Sequence, residues 1–427
     1  MKVLLLGSGG REHALAWALS QSPLCDTLYI APGNPGSHAC GVNVALDALD
    51  FEQVLEFIGD KDIGLTVVGP EQPLVAGITD FLEAKGHAVF GPSTIASQLE
   101  GSKQFAKDFM ARHNIPTAAY KVFSGDYYAE ALAYVDAHNQ YPVVLKADGL
   151  AGGKGVLIPE NREELLAGLE ELRTGSLQDA AQTLVIEEFM PGEEASVFAL
   201  CDGEHFEIMG TAQDHKRQLD GDKGPNTGGM GAYSPSPLLA EDMLNSVSET
   251  IIAPTIAGMA AEGNPYKGFL YVGLMMTSAG PKVVEYNCRF GDPECQVVIP
   301  RLRSDLLTHL VQSTRGELLG EDIVFDQQYR TTVVLVSGGY PVSYDKGFPI
   351  FGLDELEKVE AVQVFHAGTK DQDGQLCTAG GRVLNVVGTG STLQESISMA
   401  YKGLESISFE GMFYRKDIGA KGLNHVS

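Results

Sequence analysis

Three polar residues stand at alternate positions after an apolar strand start: Glu285, Asn287 and Arg289. Because side chains alternate across an extended chain, residues at i, i+2 and i+4 project from one face. A carboxylate and an amide oxygen beside a guanidinium can hold a magnesium ion together with the phosphate chain that it carries. A sheet edge with solvated polar residues has the same pattern, so the rest of the chain must distinguish the two interpretations.

The glycine-rich residues 146–155 are a second candidate for phosphate binding. Their spacing differs from that of a P-loop, because Asp148 stands at the first Walker glycine and Gly155 follows Lys154 in place of Ser or Thr. Apolar runs on both sides predict a hairpin between two strands. Such a hairpin can lay Lys154 over a triphosphate while Lys146 contacts the same phosphates from below. A mobile turn with solvated lysines is the alternative.

The run from Gly7 to His13 follows the first apolar strand and opens a helix, so its backbone N–H groups can bind an anion. A dinucleotide fingerprint would need its third glycine at Glu12. The second strand leads into residues 31–34, Ala-Pro-Gly-Asn, where that fingerprint expects a ribose-binding acid. These departures disfavour a nicotinamide cofactor and favour the phosphate of a smaller ligand.

Acidic side chains stand beside apolar ones in the segment 185–194, which ends a predicted strand. Adenine requires an apolar slot with a backbone edge and one acceptor, and a ribose can pair with a carboxylate. The segment has these groups, although a solvated acidic turn has the same composition.

Four segments must position these groups, and their patterns predict a multidomain protein of α/β and α+β type. Residues 1–103 alternate apolar runs with helical patterns, which predicts a doubly wound substrate-binding domain. The pattern of residues 104–190 predicts a small lobe with the glycine-rich hairpin. That of residues 191–325 predicts a large lobe with the metal and substrate site, and that of residues 326–427 predicts a small α+β domain. Residues 213–237 lack periodicity, so we expect a long functional loop there.

Charge and cysteine content disfavour several classes of protein. Lys and Arg number 30 against 56 Asp and Glu, and the formal net charge of −26 repels nucleic acid and anionic membranes. The 6 cysteines lie far apart without C-x-x-C pairs, which argues against a zinc ribbon or a disulfide framework. No apolar stretch reaches about 18 residues, and the N-terminal run is too short for a signal peptide, so we expect a cytoplasmic protein.

The order and spacing of three of these motifs resemble the ATP-grasp superfamily: Lys146 with the hairpin at 152–155, Glu187-Glu188-Phe189, and Glu285-Tyr286-Asn287. Within it, the sequence resembles the phosphoribosylamine–glycine ligase family over nearly its whole length. The motifs that carry this resemblance are Gly9-Gly10-Arg11-Glu12-His13-Ala14, Pro32-Gly33-Asn34-Pro35-Gly36, Gly69-Pro70-Glu71, His215-Lys216-Arg217, Gly224-Pro225-Asn226-Thr227-Gly228-Gly229-Met230-Gly231 and Arg289-Phe290-Gly291-Asp292-Pro293-Glu294.

The resemblance implies an ATP-grasp fold with an N-terminal Rossmann-like (pre-ATP-grasp) domain and a small C-terminal α+β domain. It also implies that glycine, ATP and 5-phosphoribosylamine yield glycinamide ribonucleotide, ADP and phosphate through a glycyl phosphate, the second step of de novo purine (IMP) biosynthesis. No enzyme nucleophile is needed for this route, which agrees with the lack of a convincing Ser-His-Asp or Cys-His arrangement.

The resemblance further implies roles for individual residues. The magnesium (or manganese) ligands would be Glu285 and Asn287. The catalytic residues would be Arg289 and Lys154, and Arg289 would face the acyl phosphate. The ATP-binding residues would be Lys103, Lys146, Gly152, Gly153, Lys154, Glu187, Glu188, Phe189, Met190 and Glu194. The substrate-binding residues would be Gly9, Gly10, Asn34, Asp214, Lys216, Arg217, Asn226, Thr227 and Asp292.

Two features qualify these expectations. Residues 272–276, Val-Gly-Leu-Met-Met, have no acid where many ATP-grasp enzymes place a further metal ligand, so water or ATP oxygens would complete the shell. The chain ends near residue 427, from which we expect a monofunctional enzyme, monomeric or weakly dimeric. The alternatives are another ATP-grasp carboxylate–amine ligase or carboxylase, a nucleotide-binding sensor, and a nicotinamide-dependent dehydrogenase.

Overall fold

The first hundred residues form a parallel sheet between helices, as the alternating pattern predicts. The computed structural model describes residues 1–150, 155–174, 182–318, 323–356, 359 and 361–426. The first strands are β1 (Lys2–Gly7), β2 (Thr27–Pro32), β3 (Val42–Asn43), β4 (Leu65–Val68) and β5 (Val89–Phe90), and the first helices are α1 (Gly10–Leu19), α2 (Phe51–Lys61), α3 (Glu71–Ala76) and α4 (Ile78–Glu83). All strand pairs are parallel, in the order β3-β2-β1-β4-β5.

The central strand β1 is apolar without alternation because both of its faces are buried. Val3 and Leu5 belong to one hydrophobic core with residues of α1, while Leu4 and Leu6 belong to another with residues of α2 and α4. This rigid strand ends at Gly7, so the glycine loop that follows it has a fixed position.

A four-stranded antiparallel sheet forms the next lobe. Its elements are α5 (Gln98–Gly101), α6 (Lys103–Arg112), β6 (Tyr120–Ser124), α7 (Tyr128–His138), β7 (Val143–Ala147), β8 (Val156–Leu157), α8 (Arg162–Thr174) and β9 (Thr183–Glu188). The strand order is β6-β9-β7-β8, and α7 and α8 share a separate hydrophobic core with this sheet. Strands β7 and β8 flank the glycine-rich loop and pair antiparallel, as the sequence predicts. Gly152, Gly153 and Lys154 lie outside the described residues.

The remaining strands build one large sheet and two small hairpins. They are β10 (Glu193–Asp202), β11 (Phe206–Asp214), β12 (Arg217–Leu219), β13 (Lys223–Asn226), β14 (Gly231–Ser234), β15 (Lys267–Thr277), β16 (Gly280–Asn287), β17 (Tyr329–Val336), β18 (Val362–His366), β19 (Thr369–Gln372), β20 (Gln375–Thr378) and β21 (Arg382–Gly390). The helices among them are α9 (Glu241–Val247), α10 (Ala253–Ala261), α11 (Cys295–Val298), α12 (Leu306–Arg315), α13 (Leu353–Leu356) and α14 (Leu393–Leu404).

The large sheet has the order β16-β15-β10-β11-β14-β17-β21-β18. Its strands are antiparallel, and the pairing of Gly231 with Val333 joins β14 to β17. The sheet is therefore continuous from the large lobe into the C-terminal segment, and it ties the two together through backbone hydrogen bonds. Among the described residues, no helix is long and apolar enough to span a bilayer.

The expectation of an aperiodic loop at residues 213–237 was wrong. This stretch contains strands β12, β13 and β14, and we call residues 214–227 the charged hairpin. Its turn uses positive φ angles at Gly221, Asp222 and Gly224. Strands β12 and β13 are short and polar, and most of β13 is exposed, so they lack the alternation by which a half-buried strand is detected.

Candidate active site

Glu285 and Asn287 lie on β16 at the edge of the large sheet. They pair with Gly273 and Tyr271 of β15, two positions apart on each strand, as expected for residues on one face. A Cβ atom on Gly273 would come within 3.3 Å of Glu285 Cγ, so glycine leaves room for the carboxylate. With its side-chain amide rotated by 180°, Asn287 donates to Tyr286 O (2.9 Å) and to Glu100 Oε1 (3.2 Å), and its oxygen lies on the other side of the amide.

The Glu285 carboxylate is surrounded by lysines. Its ion pair with Lys216 measures 3.6 Å. Desolvation acts to raise the pKa of Glu285, but Lys216, Lys146 and Lys103 outweigh it and hold that pKa below its usual range. Within the described ranges, no group of three or more His, Cys, Asp and Glu side chains is arranged to hold a metal. Glu285 is thus an ionised oxygen donor with a single oxygen donor, Asn287, beside it on the strand.

Arg289 does not continue the face of β16, because the strand ends at Asn287 and the chain bends. Its guanidinium pairs instead with Glu100 of α5 (2.7 Å) and Glu71 of α3 (3.2 Å) and donates to Phe290 O (3.2 Å). Burial acts to raise the pKa of Glu71, but Arg289 and Arg11 outweigh it and lower that pKa to about 2. Arg289 therefore joins the N-terminal domain to the end of β16.

Two buried lysines enclose Glu187 in the small lobe. Lys146 Nζ lies 2.9 Å from Glu187 Oε1, and Lys107 Nζ lies 3.0 Å from Oε2. Lys146 also donates to Val284 O (3.1 Å), which fixes it against β16. Lys103, one turn before Lys107 on α6, donates to Gly149 O (2.8 Å) beside the glycine-rich loop. Sequence reasoning missed Lys107, although its i,i+4 spacing from Lys103 signalled that both share a helix face.

The end of β9 presents the residues expected near adenine. Glu188 accepts from Ala119 N (3.1 Å) and from Lys282 Nζ (3.2 Å). Phe189 is 40% exposed, while Met190 is buried. An exposed ring beside a buried thioether offers an apolar surface, and the binding of a base at this edge stays a prediction.

Lys216 contacts carboxylates from two strands of the large sheet. Its Nζ lies 2.9 Å from Glu194 on β10, in addition to the contact with Glu285 on β16. Desolvation raises the pKa of Asp214 to about 6, with Lys216 opposing and Glu194 reinforcing the shift. Desolvation and then Asp214 raise the pKa of Glu294 to about 8. Sequence reasoning left out Glu294, although it is the last residue of the motif at 289–294.

The N-terminal glycine loop is braced by side chains of its own domain. Gly9 N donates to Glu12 Oε2 (2.7 Å), so the first helix is capped by its own carboxylate. Asn34 Nδ2 donates to Ser8 O (2.8 Å) and His366 O (3.0 Å). A Cβ atom on Gly10 would lie 2.4 Å from Gln296 Nε2, so Gly10 serves the close packing of α1. Gly9 and the buried Asn34 thus belong to the hydrogen-bonded loop after β1, and Gly10 packs against Gln296 and Asn385.

Asp292 lies next to this loop, since a Cβ atom on Gly9 would come within 3.4 Å of its carboxylate. Arg382 of β21 pairs with Asp292 (3.3 Å) and donates to Asp292 O (2.7 Å) and Gly228 O (2.6 Å). The sequence had given no reason to place Arg382 here, because it lies 90 residues along the chain from Asp292. It connects the C-terminal segment to the loop that follows the charged hairpin.

The other hairpin residues stabilise the hairpin itself. Arg217 Nη1 donates to Gly224 O across the turn (2.8 Å), and Arg217 pairs with Asn226 in the ladder. Thr227 Oγ1 donates to Lys216 O (2.8 Å) and accepts from Gly229 N (3.0 Å). The structure therefore gathers Asp214, Glu194, Lys216 and Glu285 at one point, with Arg217, Asn226 and Thr227 on the adjoining hairpin.

Comparison with known proteins identifies three consecutive family models along the chain. The phosphoribosylglycinamide synthetase N domain matches residues 1–100, the ATP-grasp (A) domain of the same family residues 101–295, and the C domain residues 330–421. A phosphoribosylamine–glycine ligase of Mesorhizobium japonicum is 52% identical, over 98% of either chain. One of Yersinia pestis is 50% identical, over 99% of each.

Solved structures agree with these matches. The crystal structure of a phosphoribosylamine–glycine ligase from Thermotoga maritima has a TM-score of 0.85 and 36% identity, and the match covers 98% of this chain and 100% of that one. A biotin carboxylase domain from Hydrogenobacter thermophilus has a TM-score of 0.73 at 18% identity, with 96% of this chain and 91% of that chain covered. At that identity the second similarity concerns the fold alone, and it agrees with the predicted ATP-grasp architecture.

Proposed function

The chain belongs to the phosphoribosylglycinamide synthetase family, and we propose that it ligates glycine to 5-phosphoribosylamine through a glycyl phosphate. It is an ATP-dependent carbon–nitrogen ligase of purine biosynthesis, and its products are glycinamide ribonucleotide, ADP and phosphate. A carboxylate is a poor acyl donor, so ATP first phosphorylates glycine and the amine then displaces phosphate. Catalysis of this kind depends on positioning and charge neutralisation.

The observation that carries this proposal is the double ion pair of Lys216. One ammonium group lies 2.9 Å from Glu194, in the segment expected to bind ribose, and 3.6 Å from Glu285, in the expected metal pair. Lys216 itself belongs to the charged hairpin and directly precedes β12. Nucleotide, metal and acceptor groups thus converge on a single point, as a reaction between an acyl phosphate and an amine requires.

On the nucleotide side, Lys103 and Lys146 would hold the phosphates, completed by Gly152, Gly153 and Lys154. The end of β9, with Glu188, Phe189 and Met190, would bind adenine. Glu187 would act through Lys146, because its carboxylate is enclosed by Lys146 and Lys107. Positive charges fixed before the reaction neutralise a transferring phosphoryl group without reorganisation.

A divalent cation, magnesium or manganese, would be held by Glu285 and Asn287. The residues fit such an ion, since one offers an ionised carboxylate and the other an amide oxygen, and both are oxygen donors of the kind that magnesium prefers. The ion would neutralise phosphate charge during transfer. With Gly273 opposite Glu285, β15 offers no carboxylate at that position, so solvent and ATP oxygens would complete the shell.

On the acceptor side, Gly9 and Asn34 would face the phosphate and sugar of the ribosylamine, with Lys216, Arg217, Asn226 and Thr227 opposite. Arg289, held by Glu71 and Glu100, would face the acyl phosphate. Asp214 and Asp292 would receive the substrate amines. Gly10 would support the loop from within. A cytoplasmic location and a monomeric or weakly dimeric state stay predictions of the sequence.

A phosphate-release assay tests the proposal. ATP and glycine are supplied with and without freshly generated phosphoribosylamine, and rapid release is expected only from the complete mixture. Rapid release that depends on bicarbonate and does not need glycine would instead identify a carboxylase and refute the proposal.

A further inference from the structure

Residues 415–421, which we call the C-terminal clamp, hold the charged hairpin from outside the ATP-grasp lobes. Arg415 is the largest fully buried side chain of the described residues, with 1% of its surface exposed. Its Nη1 donates to Arg217 O (3.0 Å) and to Asp222 Oδ1 (2.9 Å). One guanidinium thus reaches both the first strand and the turn of the hairpin, although it lies almost 200 residues along the chain.

Asp417 fixes Arg415 and also contacts the hairpin. Its two oxygens accept from Arg415 Nε and Nη2, each at 2.8 Å, in the bidentate geometry that orients a guanidinium. Its Oδ2 accepts from Gly221 N (2.8 Å) at the hairpin turn. Arg415 and Asp417 therefore form one rigid unit that meets the turn from two directions.

Backbone groups add further links between the two segments. Lys416 N donates to Asp220 Oδ1 (2.8 Å), and Gly419 N donates to His215 Nε2 (3.3 Å). Lys421 pairs with Asp222. The links span residues 215 to 222, so the clamp follows the hairpin from its base to its turn.

The hairpin needs such support because its own ladder is weak. Two-stranded hairpins are marginally stable alone, and this one has two paired positions with a register shift between them. Most of β13 is exposed, so little apolar burial holds it. Yet Lys216, one residue before β12, has to stay within reach of Glu194 and Glu285.

We propose that Arg415 is a positioning residue for the acceptor site: the C-terminal clamp holds the charged hairpin in the geometry in which it binds phosphoribosylamine. The inference rests on the proposed function, which assigns Arg217, Asn226 and Thr227 to the acceptor. It extends the site to a segment that contacts no reacting group itself. A displacement of about 1 Å in such a support can lower a rate by about a hundredfold.

The test compares Arg415→Met with Arg330→Met. Arg330 is a matched control, since it is also buried (6% exposed) and ion-paired, to Asp326 at 2.9 Å, but its bonds do not reach the hairpin. We expect Arg415→Met to raise the KM for phosphoribosylamine at least tenfold while the KM for ATP changes less than threefold, because Lys103 and Lys146 lie on other elements. Arg415→Lys retains the positive charge but loses the forked guanidinium, so its KM for phosphoribosylamine should lie between those of the wild-type enzyme and Arg415→Met.

A second readout uses trypsin on the native enzyme, since the hairpin carries Lys216, Arg217 and Lys223. Cleavage there should become measurable in Arg415→Met and stay absent in Arg330→Met. If Arg415→Met does not fold, Asp222→Asn takes its place in both assays, because it replaces the ion pair between Arg415 and the hairpin turn with a weaker neutral hydrogen bond at a partly exposed position.

The possible outcomes distinguish a failure of the clamp proposal from a failure of the proposed function. The proposal would be overturned if Arg415→Met and Arg330→Met shifted the KM values for phosphoribosylamine and ATP equally. It would also be overturned if Arg415→Met left the KM for phosphoribosylamine unchanged and the hairpin protected from trypsin. If the wild-type enzyme releases phosphate without needing phosphoribosylamine, the proposed function fails instead, and the trypsin comparison alone decides whether the clamp holds the hairpin.

Discussion

Lys107 Nζ lies 3.0 Å from Glu187 Oε2, and both side chains are 3% exposed. Glu187 in turn holds Lys146, the lysine expected under the ATP phosphates, at 2.9 Å. Two cations therefore share one buried carboxylate. Burial lowers the pKa of Lys107 to about 8, with Glu187 opposing the shift and Lys146 reinforcing it.

Removing the carboxylate should therefore cost more than removing one lysine. Lys107→Met leaves a balanced Glu187–Lys146 pair, and we expect a loss of about 1–3 kcal/mol in the free energy of unfolding. Glu187→Gln leaves two buried ammonium groups facing each other and should cost about 3–5 kcal/mol. Urea unfolding of both variants, with the exposed Lys121→Met on β6 as a control, measures the difference; the reverse order would contradict this account.

Glu285→Ala should abolish turnover while the fold persists. The variant removes the proposed metal ligand, but Lys216 keeps its contact with Glu194 and Lys146 keeps its contact with Glu187. The measurement is phosphate release at saturating magnesium, with thermal unfolding as the check on folding. Near-normal activity under these conditions would remove Glu285 from the metal site.

Arg289→Met should unfold more easily than Glu100→Gln. The first change leaves Glu71 and Glu100 without their shared cation, which typically costs about 3–5 kcal/mol, whereas the second keeps the pair with Glu71. In the double variant the loss should be smaller than the sum of the single losses, because one uncompensated charge has been removed. A double-mutant cycle by urea unfolding measures this coupling, and strict additivity would contradict it.

Gly10→Ala and Gly59→Ala form a matched pair in two helices. A Cβ atom on Gly10 would lie 2.4 Å from Gln296 Nε2 and 2.5 Å from Asn385 Nδ2, so we expect a loss of about 1–3 kcal/mol. A Cβ atom on Gly59 in α2 would meet open space, so the better helix propensity of alanine should stabilise by about 0.5–1 kcal/mol. Shifts of the urea midpoint in opposite directions are the expected result.

Stability should fall as the pH drops below the ordinary pKa of histidine. Burial, with His366 nearby, lowers the pKa of His13 to about 3, so the folded state resists protonation that the unfolded state accepts below about pH 6.5. His13 alone should cost about 2 kcal/mol between pH 7.5 and pH 5. His13→Gln retains an acceptor for His366 N and should show a smaller decrease over this range; an identical decrease in both proteins would contradict the assignment.

Much of the scaffold could be predicted from local pattern. The parallel N-terminal sheet, the strands around the glycine-rich loop and the polar end of β16 all follow from apolar period and turn residues, which depend on neighbours in sequence. The hairpin strands β12 and β13 could not be predicted in this way. Their contacts with Arg415 and Asp417 join residues that are almost 200 positions apart in the sequence, so no local pattern can indicate them.

The sequence by itself determined the residue types of the site and the family to which the chain belongs, because Glu285, Asn287, Lys146 and the glycine runs keep their chemistry wherever they are placed. Only the tertiary structure decided which charges are paired. It placed Arg289 between Glu71 and Glu100, Lys107 against Glu187, and Lys216 between Glu194 and Glu285. Coulomb energy depends on distance and desolvation, and both are set by packing between segments that are remote in the chain.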